Sequence, residues 1–184
     1  MLGMASRCFL AAVSALVLAA VCIPAKAAEM PRRCGPQGCA TAVSGYPRII
    51  DGDTLEVAGT RVRLHGVDTP EPRQPCVREG IPYDCGRIAS AALKRKIGGR
   101  EVSCRSADGT RDRRGRLVAV CGVVGEDGSL NAWLISQGLA VAYRRFSNDY
   151  DALEEEGKAA GIGIWATEFM PPEDWRRLRR QGQR

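Results

Sequence analysis

The stretch "RIIDGDTLEVAGTRVRLHGVDTPE", residues 48–71, decides how this chain is read. Apolar residues alternate at Leu55, Val57, Val62 and Leu64 around an Ala58-Gly59 turn, the pattern of a hairpin with one face in a core. Into this apolar sequence the chain sets Asp51, Asp53, Asp68 and Glu71, together with Arg63. Carboxylates gathered at strand ends destabilise a fold unless a cation sits among them. Asp53 and Asp68 flank a midpoint near residue 60, so pairing is expected to bring Asp68 back beside Asp53, with Gly66 as a kink that aims the second carboxylate.

Working outward, the first 27 residues read as an export signal. Arg7 gives a positive start, Phe9 to Ile23 is apolar, and Ala25-Lys26-Ala27 follows the breaker Pro24 as an A-x-A cleavage site. The apolar run is shorter than the roughly 20 residues a membrane-spanning helix needs, so no stable membrane insertion is expected after cleavage. Val21 before Cys22 argues against lipid attachment. The expectation is an exported protein, periplasmic or secreted, and a monomer. Residues 28–45, rich in Gly, Pro, Ala and Ser, read as a flexible lead-in, 46–170 as one domain, and 171–184 as a basic tail.

Arg7 and Lys26 leave with the signal, taking the formal charge from +6 to +4, and five arginines in 176–184 leave the body near neutrality at −1. General basicity therefore says little about a polyanion partner, and phosphate recognition must come from placed arginines.

Further elements follow from pattern. "GRIASAALKRKIGG" (86–99) reads as a helix with Ile88, Ala92 and Leu93 on its apolar side and Gly98-Gly99 as its stop. Strands are expected over 100–104, 116–124 and 139–143. A short helix is expected near "LNAWLISQG" with Gly138 as its cap, and another over 150–160, where Glu154 to Glu156 read as a solvated face. Together these predict a mainly β chain with helices, α+β in class: a five-stranded OB-like barrel with about three packed helices.

Six cysteines remain after the signal, an even number that favours disulfides in an exported protein. The single His65 and the lack of a C-x-x-C pair disfavour zinc. Hairpin pairing of 100–104 with 116–121 sets Cys104 opposite Cys121. Cys76 with Cys85, and Cys34 with Cys39, enclose short loops and read as local staples.

The acidic cluster offers hard oxygen ligands, which favour Ca²⁺ or Mg²⁺ over zinc or copper. An EF-hand is excluded, because a loop starting at Asp51 has Glu56 where glycine is required and Val62 at its last ligand position. An open site assembled from separate strands suits catalysis. Arg63 and Arg116 could bind the equatorial oxygens of a phosphodiester at its transition state. Glu71 could take a proton from an attacking water.

"IIDGDT", "RLHGVDTPE", "DRRGR", "LISQGLAVAY" and "GIGIW" occur in the order and approximate spacing of the staphylococcal (micrococcal) nuclease family, which the chain resembles from about Pro47 to Trp165. The resemblance implies an OB barrel with helices and Ca²⁺-dependent hydrolysis of DNA and RNA, water attacking phosphorus as the 5′ oxygen departs. It casts Asp53 and Asp68 as calcium carboxylates, Thr69 as a carbonyl ligand and Asp51 as a nearby supporting acid. Glu71 becomes the general base, Arg63 and Arg116 the phosphate-binding pair, and Tyr143 a substrate contact. Arg114 stands where a tyrosine is expected, and the longer segment after Glu71 carries Cys76 and Cys85. His65, at a position apolar in the family, reads as structural. The alternatives are a non-catalytic OB module that binds nucleic acid through its groove and arginine tail, and an envelope accessory protein.

Overall fold

The computed structural model describes residues 41–106 and 109–182, together with the backbone of 34–35 and 38–39. The signal read over 1–27 lies outside them. Cys34–Gly35 (β1) pairs antiparallel with Gly38–Cys39 (β2), Cys34 opposite Cys39. The side chains of that third expected disulfide also lie outside the described residues.

The main sheet has six strands: Ala42–Gly45 (β3), Pro47–Ile49 (β4), Thr54–Val57 (β5), Thr60–Leu64 (β6), Val102–Arg105 (β10) and Leu117–Val123 (β11), in the order β3-β10-β11-β6-β5-β4. Val67–Asp68 (β7) pairs separately with Val141–Ala142 (β12). Pro75–Arg78 (β8), Ile81–Asp84 (β9) and Glu168–Phe169 (β13) form a third sheet with β8 at its centre. The helices are Cys85–Ile97 (α1), Leu130–Ser136 (α2), Asp151–Ala159 (α3) and Pro172–Gln181 (α4), with a 3-10 turn over Gly163–Ala166.

Alternation drives the main sheet as read: Leu55, Val57, Val62 and Leu64 of the hairpin, and Leu117, Ala119, Cys121 and Val123 of β11, all face one core. Full burial of a leucine such as Leu64 or Leu117 stabilises by about 1.5–3 kcal/mol. The hairpin turns on Ala58 and Gly59 with φ of 46° and 75°, the two positive values that match strand twist in a two-residue loop.

β3 and β4 stand at opposite ends of the ladder, yet only Tyr46 separates them in the chain, so the sheet must coil until its ends meet there. This is the expected OB-like α+β architecture, with a hydrogen-bond ladder that does not close into a complete barrel.

α1 begins where the Asp84 carboxylate accepts the Arg87 N–H at 2.8 Å and ends at Gly98, left-handed at φ 60°. Ala89, Ala92, Leu93 and Ile97 carry its buried face, while Ile88, read as apolar-side, is exposed. Ser129 caps α2 by accepting the Ala132 N–H at 3.0 Å. From α2, buried Asn131 accepts the Cys121 N–H and donates to the His65 carbonyl, fixing the helix across β11 and the turn after β6.

Four expectations change. The last residues of the expected lead-in are ordered, because Ala42–Gly45 pairs along β10 as an edge strand. The strand expected over 139–143 shrinks to Val141–Ala142, since Leu139 donates instead to the Leu134 carbonyl in the chain reversal closing α2. Glu154 is buried, not solvated: it accepts the Ala142 N–H at 2.8 Å and pairs with Lys158 and Arg144. The basic tail is α4, a fourth helix beyond the three expected. Pro172 at its start, Glu173 and Asp174 in the first turn and Arg179 and Arg180 in the last suit the helix dipole.

Candidate active site

The hairpin register sets Leu64, not Asp68, opposite Asp53, the Leu64 N–H meeting the Asp53 carbonyl at 2.9 Å. Asp68 arrives by another route: Gly66 turns the chain at φ 68°, β7 follows, and Thr69 folds back over Asp53. The Thr69 backbone N–H and hydroxyl both donate to Asp53 Oδ2, at 3.1 and 3.2 Å. Gly52 makes this approach possible, because a Cβ there would stand 2.6 Å from Thr69 Oγ1. Thus the glycine of "DGDT" is a packing requirement.

Arg63 lies between the two carboxylates, its Nη1 2.6 Å from Asp53 Oδ2 and its Nη2 donating to Asp68 Oδ1 at 3.0 Å. On the far side, Thr54 Oγ1 donates to Asp53 Oδ1 at 3.1 Å and accepts from Arg116 Nη1 at 2.9 Å. Asp112 aims Arg116: one carboxylate oxygen accepts its side-chain Nε–H at 2.7 Å, the other its backbone N–H at 3.0 Å. These bonds, with the Arg114 N–H, outweigh the effect of burial and hold the Asp112 carboxyl below its ordinary range.

Glu71 stands on the segment after Pro70. Its backbone N–H donates to Gln74 Oε1 at 3.0 Å, and the fully buried Gln74 also donates to the Met170 carbonyl at 2.7 Å. The first turn of α1 presses on the same segment, for a Cβ on Gly86 would lie 2.0 Å from the Glu71 carbonyl oxygen. Cys76–Cys85 ties that helix start to β8, and Cys104–Cys121 links β10 to β11, two of the three expected disulfides.

One group in the cluster has no counterpart in the sequence reading. Arg176 of α4 donates from Nη1 and Nη2 to the two oxygens of Asp68, both at 2.8 Å, and from Nη1 to Glu71 Oε1 at 2.7 Å. Burial works against its charge, but the two carboxylates more than offset this and keep the guanidinium protonated. Burial raises the Asp68 carboxyl, an effect Arg176 and Arg63 only partly counter. Burial, then the charge of Asp53, pushes Asp51 up to about 6, while its Oδ1 accepts the Asp53 N–H at 3.0 Å.

Arg116, Thr54, Asp53, Arg63, Asp68, Arg176 and Glu71 therefore form one continuous polar seam. Tyr143 lies beside it: its N–H meets the Gly66 carbonyl at 2.9 Å and its ring packs edge-on against Phe146. Asp112, Gln74 and Arg176 were missed. "DRRGR" carried the signal for Asp112, whose spacing to Arg116 suits a turn; Arg176 acts through contacts far along the chain, and Gln74 joins Glu71, three residues before it, to distant Met170.

The donors that could meet a hard cation are the carboxylates of Asp53 and Asp68 and the Thr69 carbonyl. That the space around Asp68 already draws in two guanidinium groups fits a cation there. Among the described residues no three His, Cys, Asp or Glu side chains gather at metal-holding distance. No described helix is long and apolar enough to cross a membrane.

The family model for staphylococcal nuclease homologues matches residues 61–167, an interval that includes Arg63, Asp68, Glu71 and Arg116. A succinoglycan biosynthesis protein, ExoI, of Rhizobium meliloti (strain 1021) is 41% identical over 133 residues, 70% of this chain and 67% of the relative. An uncharacterized endonuclease of Escherichia coli O157:H7 is 30% identical over 149 residues, 77% of this chain and 89% of the relative. A thermonuclease of Staphylococcus intermedius is 32% identical over 127 residues, 64% of this chain and 73% of the relative.

Proposed function

The chain belongs to the staphylococcal nuclease family and is a hydrolytic endonuclease, and from that premise we propose that it is an exported, Ca²⁺-dependent enzyme cleaving phosphodiester bonds of DNA, RNA or both. The observation that carries this reading is the seam joining Arg116 to Glu71 through Asp53, Arg63 and Asp68.

Asp53, Asp68 and the Thr69 carbonyl would hold the cation, with Asp51 supporting Asp53 through its backbone N–H. Bound there, Ca²⁺ would supply positive charge to a phosphate oxygen and leave the other donors to this chain. Glu71 takes a proton from water as the water oxygen forms its bond to phosphorus and the bond to the 5′ oxygen breaks. Arg63 and Arg116 bind the equatorial oxygens as negative charge builds on them. Asp112 keeps Arg116 oriented for that purpose, and Gln74 holds the turn bearing Glu71. Tyr143, whose N–H meets the Gly66 carbonyl, would contribute a substrate contact.

Two disulfides support an oxidising compartment and hence export. The test is hydrolysis of DNA and of RNA by oxidised protein lacking residues 1–27, in Ca²⁺ and in chelator. Cleavage that persists in chelator overturns the calcium dependence. Metal-independent binding without cleavage favours the non-catalytic module instead.

A further inference from the structure

α4 lies beyond the interval matched to the family and is held to the body in an unusual way. Among its residues only Pro172 is fully buried, Trp175 is half-buried and Leu178 is exposed, so few apolar side chains hold it to the body. Its strongest tie is Arg176, which reaches Asp68 and Glu71 across 108 and 105 residues of chain. Otherwise a 3.5 Å contact from Arg145 to Glu173 and the Gln74 bond to the Met170 carbonyl steady the segment.

The position of the Arg176 guanidinium matters more than its strength. It takes both oxygens of Asp68 at once, while Arg63 takes a second position on Oδ1. Asp68 is 1% exposed, so its charge needs a cation on it at all times. A divalent cation on the same oxygens would sit against the guanidinium in a partly buried setting, where like charges a few ångströms apart repel strongly. The two cations therefore compete for the Asp68 oxygens, both of which Arg176 occupies. Arg176 also donates to Glu71 Oε1 at 2.7 Å.

We propose that Arg176 is a built-in stand-in for the divalent cation: it closes the metal-free site by capping Asp68 and Glu71, and cation binding displaces it and loosens α4. This rests on the reading of Asp53 and Asp68 as the cation's ligands. Its chemical content is an exchange of one cation for another on the same carboxylate, with no bond made or broken. A latch of this kind lowers apparent cation affinity by the fraction of molecules in which it is closed. It also supplies one positive charge to Asp68 and Glu71 when no metal is present.

The experiment is calorimetric titration of Ca²⁺ into the oxidised full chain, for wild type, Arg176→Gln and Arg176→Lys. It is paired with hydrogen exchange of the amides over 172–181 in wild type with and without Ca²⁺. The latch predicts that Arg176→Gln binds Ca²⁺ about 10- to 100-fold more tightly, the factor lost when a competent state is a tenth to a hundredth of the population. Arg176→Lys, with one point charge and no fork, falls between. Ca²⁺ speeds exchange over 172–181 in wild type. Equal or weaker affinity in Arg176→Gln overturns the latch alone, since a merely structural arginine gives no gain. Absence of Ca²⁺ binding in all three overturns the cation site and the latch with it. Should Arg176→Gln fail to fold, the wild-type exchange decides: unchanged protection of 172–181 with Ca²⁺ bound defeats the proposal.

Discussion

Asp68 and Glu154 are buried to the same degree, each 1% exposed, and each is met by two cationic side chains, yet their situations differ. Glu154 draws Lys158 from the next turn of its own helix, Arg144 from the segment before it, and the N–H of Ala142 from β12. Burial raises its carboxyl, but these partners outweigh burial and hold it below the ordinary range. Asp68 remains raised despite Arg63 and Arg176, because burial dominates there. A carboxylate supplied with a backbone donor and neighbouring cations is settled. Asp68, met by Arg63 and by a guanidinium from the far end of the chain, has no comparable set of local donors.

The sharpest way to break this contrast is Glu71→Gln on the Asp68 side. Turnover should fall by about 10²- to 10⁴-fold while Ca²⁺ affinity persists, whereas Asp53→Ala should weaken Ca²⁺ binding; kinetics and calorimetry on both variants check the division. Unchanged turnover in Glu71→Gln would defeat its role as base.

On the other side, Glu154→Ala should cost about 2–3 kcal/mol of stability, mainly from stranding the Ala142 N–H, as read by denaturant unfolding. Because the folded Glu154 carboxyl is lowered, its stabilisation is fully present above the unfolded value and is lost as pH falls through the folded one. Melting temperature should therefore drop on acidification below about pH 4.5. Glu154→Gln should flatten part of that fall.

Gly86→Ala acts on the seam by another path. Its Cβ meets the Glu71 carbonyl, so the segment must shift, with about 1–2 kcal/mol of destabilisation and lowered turnover expected. Ala58→Gly, remote from both carboxylates, should raise stability by about 0.5–1 kcal/mol by relieving a left-handed alanine, with turnover unmoved.

What the sequence disclosed was local. The hairpin, the α1 stop at Gly98 and the Cys104–Cys121 bridge follow from alternation, glycine chemistry and pairing between near neighbours. Asp53, Asp68, Glu71, Arg63 and Arg116 were legible because carboxylates and arginines in a strand-like sequence are costly without a purpose. Arg176 was hidden, since nothing near it in the chain announces Asp68 and Glu71, and so was the distant half of Gln74's role, its bond to the Met170 carbonyl. Glu154 was misread for a related reason: a run of acids in a helix defaults to solvent, and only the fold reveals that β12 offers one of them an N–H. β3 was lost in a stretch rich in turn formers, whose pairing depends on β10 some sixty residues later.

The single-residue link at Tyr46 has a consequence for how the chain tolerates trimming. Since β3 borders β10 and the same run of backbone continues directly into β4, removal of residues up to 45 would strip one rim of the sheet and uncover the hydrogen-bonding groups of Val102–Arg105. A bare rim of that kind is a template for strand addition from a neighbouring molecule. Proteolytic clipping before Tyr46 would thus turn a protected sheet into one prone to self-association, even with every group of the acidic seam left in place.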